Sequence, residues 1–93
     1  MIKSFADRDT KKLWITGRTR HLPGGLWQRA LVKLQLLDAA VELTFLNLPP
    51  GNHLEALKGN RRGQHSIRIN DQWRICFRWT GTDAEQVEIV DYH

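Results

Sequence analysis

The sequence predicts an α+β fold: two N-terminal helices followed by an antiparallel meander of three or four strands. Two observations carry this expectation. Apolar residues recur at three- and four-residue steps in the first half of the chain and alternate singly in the second. The alternating half is also cut by polar turns at 58–63, 70–72 and 80–83, as in a meander of short strands. With 93 residues and no linker, repeat or low-complexity stretch, residues 1–93 are expected to form a single domain.

Taken in order, Ile2 to Phe5 reads as a short strand. Asp9, or Asp7 before it, can cap a helix from Thr10 to about Thr16, and Gly17 is a natural stop. A basic stretch, Arg18-Thr19-Arg20-His21, leads into a break at Leu22-Pro23-Gly24-Gly25. The strongest helical pattern runs from about Leu26 to Leu43. There Trp27, Ala30, Leu31, Leu34, Leu37 and Val41 form one apolar stripe, with Arg29, Lys33 and Gln35 off it. A break near Asp38 would fit the same pattern. Leu48-Pro49-Pro50-Gly51-Asn52 must be a loop, because consecutive prolines cannot continue a helix. Beyond it the expected strands are Leu54 to Leu57, His65 to Ile69, Trp73 to Trp79 and Val87 to Val90.

Composition narrows the function classes. Forty-one per cent of residues are hydrophobic and four are tryptophans, enough for a packed core and against disorder. Fourteen Lys and Arg against ten Asp and Glu leave a net charge of +4, which favours a polyanionic partner. A single cysteine, Cys76, rules out an internal disulfide and sits in an apolar strand as packing. The N-terminus has no apolar signal segment and no stretch reaches the ~18 apolar residues of a membrane span. A cytoplasmic protein without a membrane partner is expected. Four scattered histidines and one cysteine show no metal-ligand spacing, so neither a metal nor another cofactor is expected. Of these, His65 alternates with the apolar face and His21 lies in the basic loop.

Alternation puts Ile67, Ile69, Trp73, Ile75, Phe77 and Trp79 on one sheet face. Ser66, Arg68, Arg74, Cys76 and Arg78 then fall on the other. A three-residue hairpin loop at 70–72 would set Arg68 opposite Arg74, and a register tighter by one pair would leave them diagonal but close; such a pairing is unfavourable unless an anion sits between them. Alternatively the two guanidinium groups point apart, or pair with a glutamate such as Glu88. Lys58, Arg61 and Arg62 add a positive rim and complete a groove suited to a nucleic-acid backbone.

The segments Leu57-Lys58-Gly59, Ser66-Ile67-Arg68, Trp73-Arg74-Ile75-Cys76-Phe77 and Val90-Asp91-Tyr92-His93 closely resemble the HigB toxins of the RelE/ParE superfamily. The opening Met1-Ile2-Lys3-Ser4-Phe5 and the Pro49-Pro50-Gly51-Asn52 loop match as well, so the resemblance spans nearly the whole chain. It implies the RelE/ParE-like fold, two N-terminal helices packed on a twisted antiparallel β-sheet, and an endoribonuclease that cuts messenger RNA in the ribosomal decoding site. It also implies a HigA-type helix-turn-helix antitoxin, with operator DNA contacted only through that antitoxin. Such toxins need no metal and use the RNA 2′-hydroxyl as nucleophile.

That reaction needs a base, an acid, cations around the phosphate and an aromatic surface for an unstacked base. By the resemblance, His93, Asp91 and Tyr92 are the catalytic candidates; some relatives carry a histidine where this chain has Glu55, so Glu55, or His53 two residues earlier on the same strand face, is a further candidate base. Arg68, Arg74 and Lys58 are the phosphate-binding candidates, extended by Arg61 and Arg62. The alternative is a toxin that binds ribosomes, or gyrase as ParE-like relatives do, with little or no RNA cleavage.

Overall fold

The structure is a computed structural model and describes residues 1–48 and 51–92. Pro49, Pro50 and His93, named above for the loop and the tail, lie outside the described residues. Helix α1 spans Arg8–Thr16. Asp7, not Asp9, caps it by accepting from the Thr10 backbone N–H at 3.1 Å. Gly17 closes it at φ 81°, a left-handed turn that a side chain would resist.

Helix α2 spans Trp27–Ala39 and is entered through a 3₁₀ turn at Gly24–Leu26. Its Ala30, Leu34 and Leu37 are buried as the stripe required. The helix ends at Ala39, next to the break expected near Asp38 and four residues short of the full apolar pattern, because Ala40 is extended (φ −67°, ψ 129°). Val41 therefore leaves the stripe and is 64% exposed. A 3₁₀ segment at Leu43–Asn47 follows and buries Leu46.

Four strands follow: β1 (Glu55–Ala56), β2 (His65–Arg68), β3 (Trp73–Trp79) and β4 (Ala84–Asp91). Among the described residues they form one antiparallel sheet in sequence order. Strand β1 is shorter than the expected Leu54 to Leu57. The β2–β3 hairpin has the register expected for a three-residue loop, with Arg68 opposite Arg74 and Ser66 opposite Cys76. One extra residue on β4 makes a bulge opposite Phe77, where Gln86 takes φ 53°.

Ile2 to Phe5 does not form a full strand. It runs parallel to the outer edge of β4 in two isolated bridges, Ile2 to Ala84 and Phe5 to Val87. Four backbone hydrogen bonds of 2.8–3.1 Å hold it there. Further along that edge Thr10 Oγ1 accepts from the Ile89 N–H at 3.0 Å, and His21 Nε2 lies 3.0 Å from the Ile89 carbonyl oxygen.

The helices cover one sheet face, where Leu13, Leu34, Ile67, Ile75 and Phe77 are wholly buried. His65 stacks on Phe77 with ring centres 6.3 Å apart, in keeping with a packed rather than chemical role. Among the described residues no α-helix covers the opposite face, which is left for the site.

Candidate active site

Residues opposed in register share a sheet face, so Ser66, Arg74, Cys76, Glu88 and Val90 all look away from the helices. Arg74 is the centre of this group. Its Nε donates to Ser66 Oγ at 2.8 Å, and its terminal nitrogen donates to the His53 carbonyl oxygen at 2.6 Å. Tyr92 lies over the guanidinium, 5.8 Å from carbon to ring centre, close enough for a cation–π contact. Three neighbours thus fix one cation while leaving donors free for an anion.

The His53 carbonyl is aimed by an unusual backbone. His53 takes φ 43°, a left-handed conformation costing a non-glycine residue about 1–2 kcal/mol. The residue before it secures that strain. Asn52 is fully buried; its side chain donates to the Leu46 carbonyl at 2.9 Å and accepts from Lys33. Its own carbonyl accepts from the Arg68 N–H at 2.6 Å. Burial, and to a lesser degree Arg29, pulls the Lys33 pKa down.

Arg61 does not remain on the rim. It crosses the sheet to Glu88 on β4, with nitrogen and oxygen 2.6 Å apart, and also donates to Gln64 at 3.1 Å. Half-exposed pairs of this kind contribute about 1 kcal/mol or less, so the tie shapes the face more than it stabilises the fold. Cys76 lies beneath this region and is wholly buried. Burial pushes its thiol pKa up, with Glu88 and Glu55 adding to the rise and Arg61 and Arg74 opposing it. The folded state thus holds the thiol proton more tightly than the unfolded chain. The resulting stability is complete below the unfolded thiol pKa of ~8.5 and declines as pH rises above it. A thiol reagent at pH 8 should accordingly modify Cys76 at least ~10-fold more slowly in buffer than in denaturant. Equal rates would show that the thiol is accessible.

Beside Arg74, Glu55, Ala56, Leu57, Lys58 and Tyr92 line an open cleft of about 350 Å³. Lys58 reaches it because the 3₁₀ turn at Gly59–Arg61 folds the chain back, and Leu57 N–H bonds the Gln64 carbonyl at 2.9 Å. Tyr92 is brought over Arg74 because its own N–H donates to the Gln72 carbonyl at 2.6 Å, just past the end of β4. The arrangement is a cleft with a carboxylate, an ammonium and a phenol on its walls and a fixed guanidinium beside it.

The structure therefore gathers Arg74, Tyr92, Glu55 and Lys58. Arg68 shares the register with Arg74 but turns to Asp71 in the hairpin, so the two guanidinium groups do not form one clamp. Asp91 pairs in register with Trp73, and its Oδ2 accepts from Gln72 Nε2 at 2.9 Å. His53 contributes its carbonyl to Arg74, Arg62 is exposed, and His93 lies outside the described residues. Glu88, offered only as an alternative partner for Arg68 or Arg74, belongs to Arg61. The roles of Ser66 and Asn52 were not foreseen. Parity with Arg74 pointed to Ser66, whereas nothing local marked Asn52.

An α+β protein with a bare, cation-centred sheet face is suited to engaging phosphate groups. The chain matches a family model described as "RelE-like toxin of type II toxin-antitoxin system HigB" over residues 3–93, and it belongs to that family. It is 38% identical to Endoribonuclease HigB of Proteus vulgaris across the full length of both chains. It is 44% identical over 62 residues to Toxin HigB-1 of Vibrio cholerae, a match covering 67% of this chain and 65% of that protein. A type II toxin of this family has an antitoxin as its partner. No helix among the described residues is long and apolar enough to cross a membrane.

Proposed function

We propose that this toxin is an endoribonuclease that cleaves messenger RNA in the decoding site of the cytoplasmic ribosome and is held inactive by a HigA-type antitoxin. The observation that carries the reading is Arg74, fixed by Ser66, the His53 carbonyl and Tyr92 at the edge of a cleft that also holds Glu55 and Lys58. The name of the Proteus relative, Endoribonuclease HigB, supports the same chemistry.

In this reading Arg74 and Lys58 hold the scissile phosphate and offset the charge that builds on its oxygens. The 2′-oxygen forms a bond to phosphorus as its proton passes to a base, for which Glu55 is placed in the cleft. The bond to the 5′-oxygen breaks, and that oxygen takes a proton from an acid, the role assigned to His93, with Asp91 orienting the tail. The products are a 2′,3′-cyclic phosphate and a 5′-hydroxyl, so atoms and charge balance without a metal. Tyr92, 37% exposed, offers its free ring surface to an unstacked base. Arg62 contributes field around the groove, while Arg61 and Arg68, paired with Glu88 and Asp71, add little net charge.

The test is to induce the wild type and His93→Ala in growing cells and map messenger RNA 5′ ends. New 5′ ends inside translated frames are expected with the wild type and at least ~100-fold fewer with His93→Ala. Growth arrest by the wild type without new 5′ ends would overturn the reading in favour of a toxin that only binds ribosomes or gyrase. Wild-type cleavage by His93→Ala would remove His93 from the acid role.

A further inference from the structure

Lys33 is an unusual lysine for its helix. It lies midway along α2, off the apolar stripe, where a lysine ordinarily runs out into water. Here it is half-buried, and its ammonium donates to the side-chain oxygen of the fully buried Asn52. Among the described residues no carboxylate pairs with it. Burial, and then the like charge of Arg29, disfavour the ammonium and lower its pKa. A charge placed this way costs stability, and proteins keep such costs where a site needs them.

Asn52 leads from that ammonium to the site. Three of its polar groups are engaged, each by a different element. Its side-chain oxygen accepts from α2, its side-chain nitrogen donates to Leu46 in the 3₁₀ segment, and its carbonyl accepts from Arg68 in β2. Held from three sides, Asn52 keeps the next residue in a left-handed conformation, φ 43°, that a free chain would leave. The product of that strain is a carbonyl aimed at Arg74. Two hydrogen bonds, with the backbone between Asn52 and His53, thus join Lys33 to the guanidinium.

This contact decides which part of Arg74 is open to an anion. Nε donates to Ser66 Oγ at 2.8 Å, and Nη2 donates to the His53 carbonyl at 2.6 Å and more weakly to the Ser66 carbonyl at 3.4 Å. One edge of the planar fork is therefore taken up by the protein. Among the described residues Nη1 has no acceptor, which leaves it for a phosphate oxygen. Without the His53 carbonyl the fork would be held by Ser66 alone and could swing.

We propose that Lys33 is a positioning residue for Arg74: acting through Asn52 and the His53 carbonyl, and touching no RNA itself, it sets the direction of the guanidinium beside the cleft. The proposal rests on the cleavage reading above for the reaction that this direction serves, but not for the hydrogen bonds that set it.

The test compares wild type, Lys33→Met, Arg74→Ala and the double variant at a temperature where circular dichroism shows each to be folded. Methionine keeps an unbranched apolar stem and removes the donor. Lys33→Met should lower the single-turnover rate on ribosome-bound messenger RNA about 10- to 100-fold, with the half-saturating ribosome concentration unchanged within about twofold. In the Arg74→Ala background the same substitution should change the rate less than about twofold, because its effect passes through Arg74. By ¹⁵N NMR the Arg74 Nε–H, assigned by its absence from Arg74→Ala, should exchange with water at least ~5-fold faster in Lys33→Met. If Lys33→Met does not fold, Lys33→Ala, a better helix former, is read in its place with the same expectations.

An unchanged rate in a folded Lys33 variant would overturn the proposal. So would an equal loss in both backgrounds, which would give Lys33 a role apart from Arg74. Weaker ribosome binding at an unchanged maximal rate would also overturn it, by placing the ammonium on RNA. A wild type that cleaves no messenger RNA, with the Arg74 signal still altered in Lys33→Met, would refute the proposed function and leave the positioning of Arg74 standing.

Discussion

Arg74→Ala is expected to reduce single-turnover cleavage of ribosome-bound messenger RNA by roughly 100- to 1000-fold, the usual effect of removing one preorganised stabiliser of transition-state charge. The loss should appear mainly in the rate at saturating ribosomes, since on the proposed reading Lys58 still holds the phosphate. Stability should change little. Ser66 Oγ and the His53 carbonyl lose a donor, a cost of about 1–3 kcal/mol if water does not replace it. Arg74→Lys keeps the charge but cannot reach the Ser66 hydroxyl and the His53 carbonyl with one planar fork, so only partial rescue is expected. Cleavage by a folded Arg74→Ala variant within about threefold of the wild type would remove Arg74 from the chemistry.

The largest expected loss of stability is at Phe77. Its side chain is wholly buried, between His65 at 6.3 Å and Trp79 at 6.5 Å, opposite the bulge in β4. Phe77→Ala should cost about 3–5 kcal/mol, a large part of the roughly 5–15 kcal/mol that holds a domain folded. The thermal midpoint should drop by at least ~12 °C in a domain of this size, measured by circular dichroism. Phe77→Leu, which refills most of the volume, should recover much of that. A drop of less than about 4 °C for the alanine variant would show that the strand does not anchor the core. Strand β3 carries Phe77 on its inner face and Arg74 on its outer, so loosening the core should also loosen the site.

What was legible in the sequence followed from periodicity and turn length. Single alternation was enough to put the isoleucines inside and both arginines on the other face, and of the two hairpin registers left open the structure takes the one with Arg68 opposite Arg74. The direction of each guanidinium was not, because it depends on which acceptor lies within reach. Arg68 finds Asp71 three residues away, while Arg74 finds a hydroxyl and a carbonyl on neighbouring chain segments. Val41 was misplaced because a hydrophobic stripe says nothing about where the backbone leaves the helix, here at Ala40. Ile2 to Phe5 has strand-like residues, but its partner edge on β4 is bent at Gln86, and only isolated bridges form. Asn52 could not be found from local pattern, since its partners Lys33 and Leu46 are set by tertiary packing.

The clasp of the N-terminal segment on β4 bears on how the toxin behaves once its antitoxin is gone. An uncovered strand edge is a template for self-assembly, and β4 is the longest strand described here. With Met1 to Ala6, Thr10 and His21 satisfying its outer backbone groups, that template is closed. The other edge of the sheet is β1, only two residues long, with charged Glu55 within it and Lys58 just beyond. A freed toxin built this way stays dispersed instead of assembling edge to edge, and remains available to act.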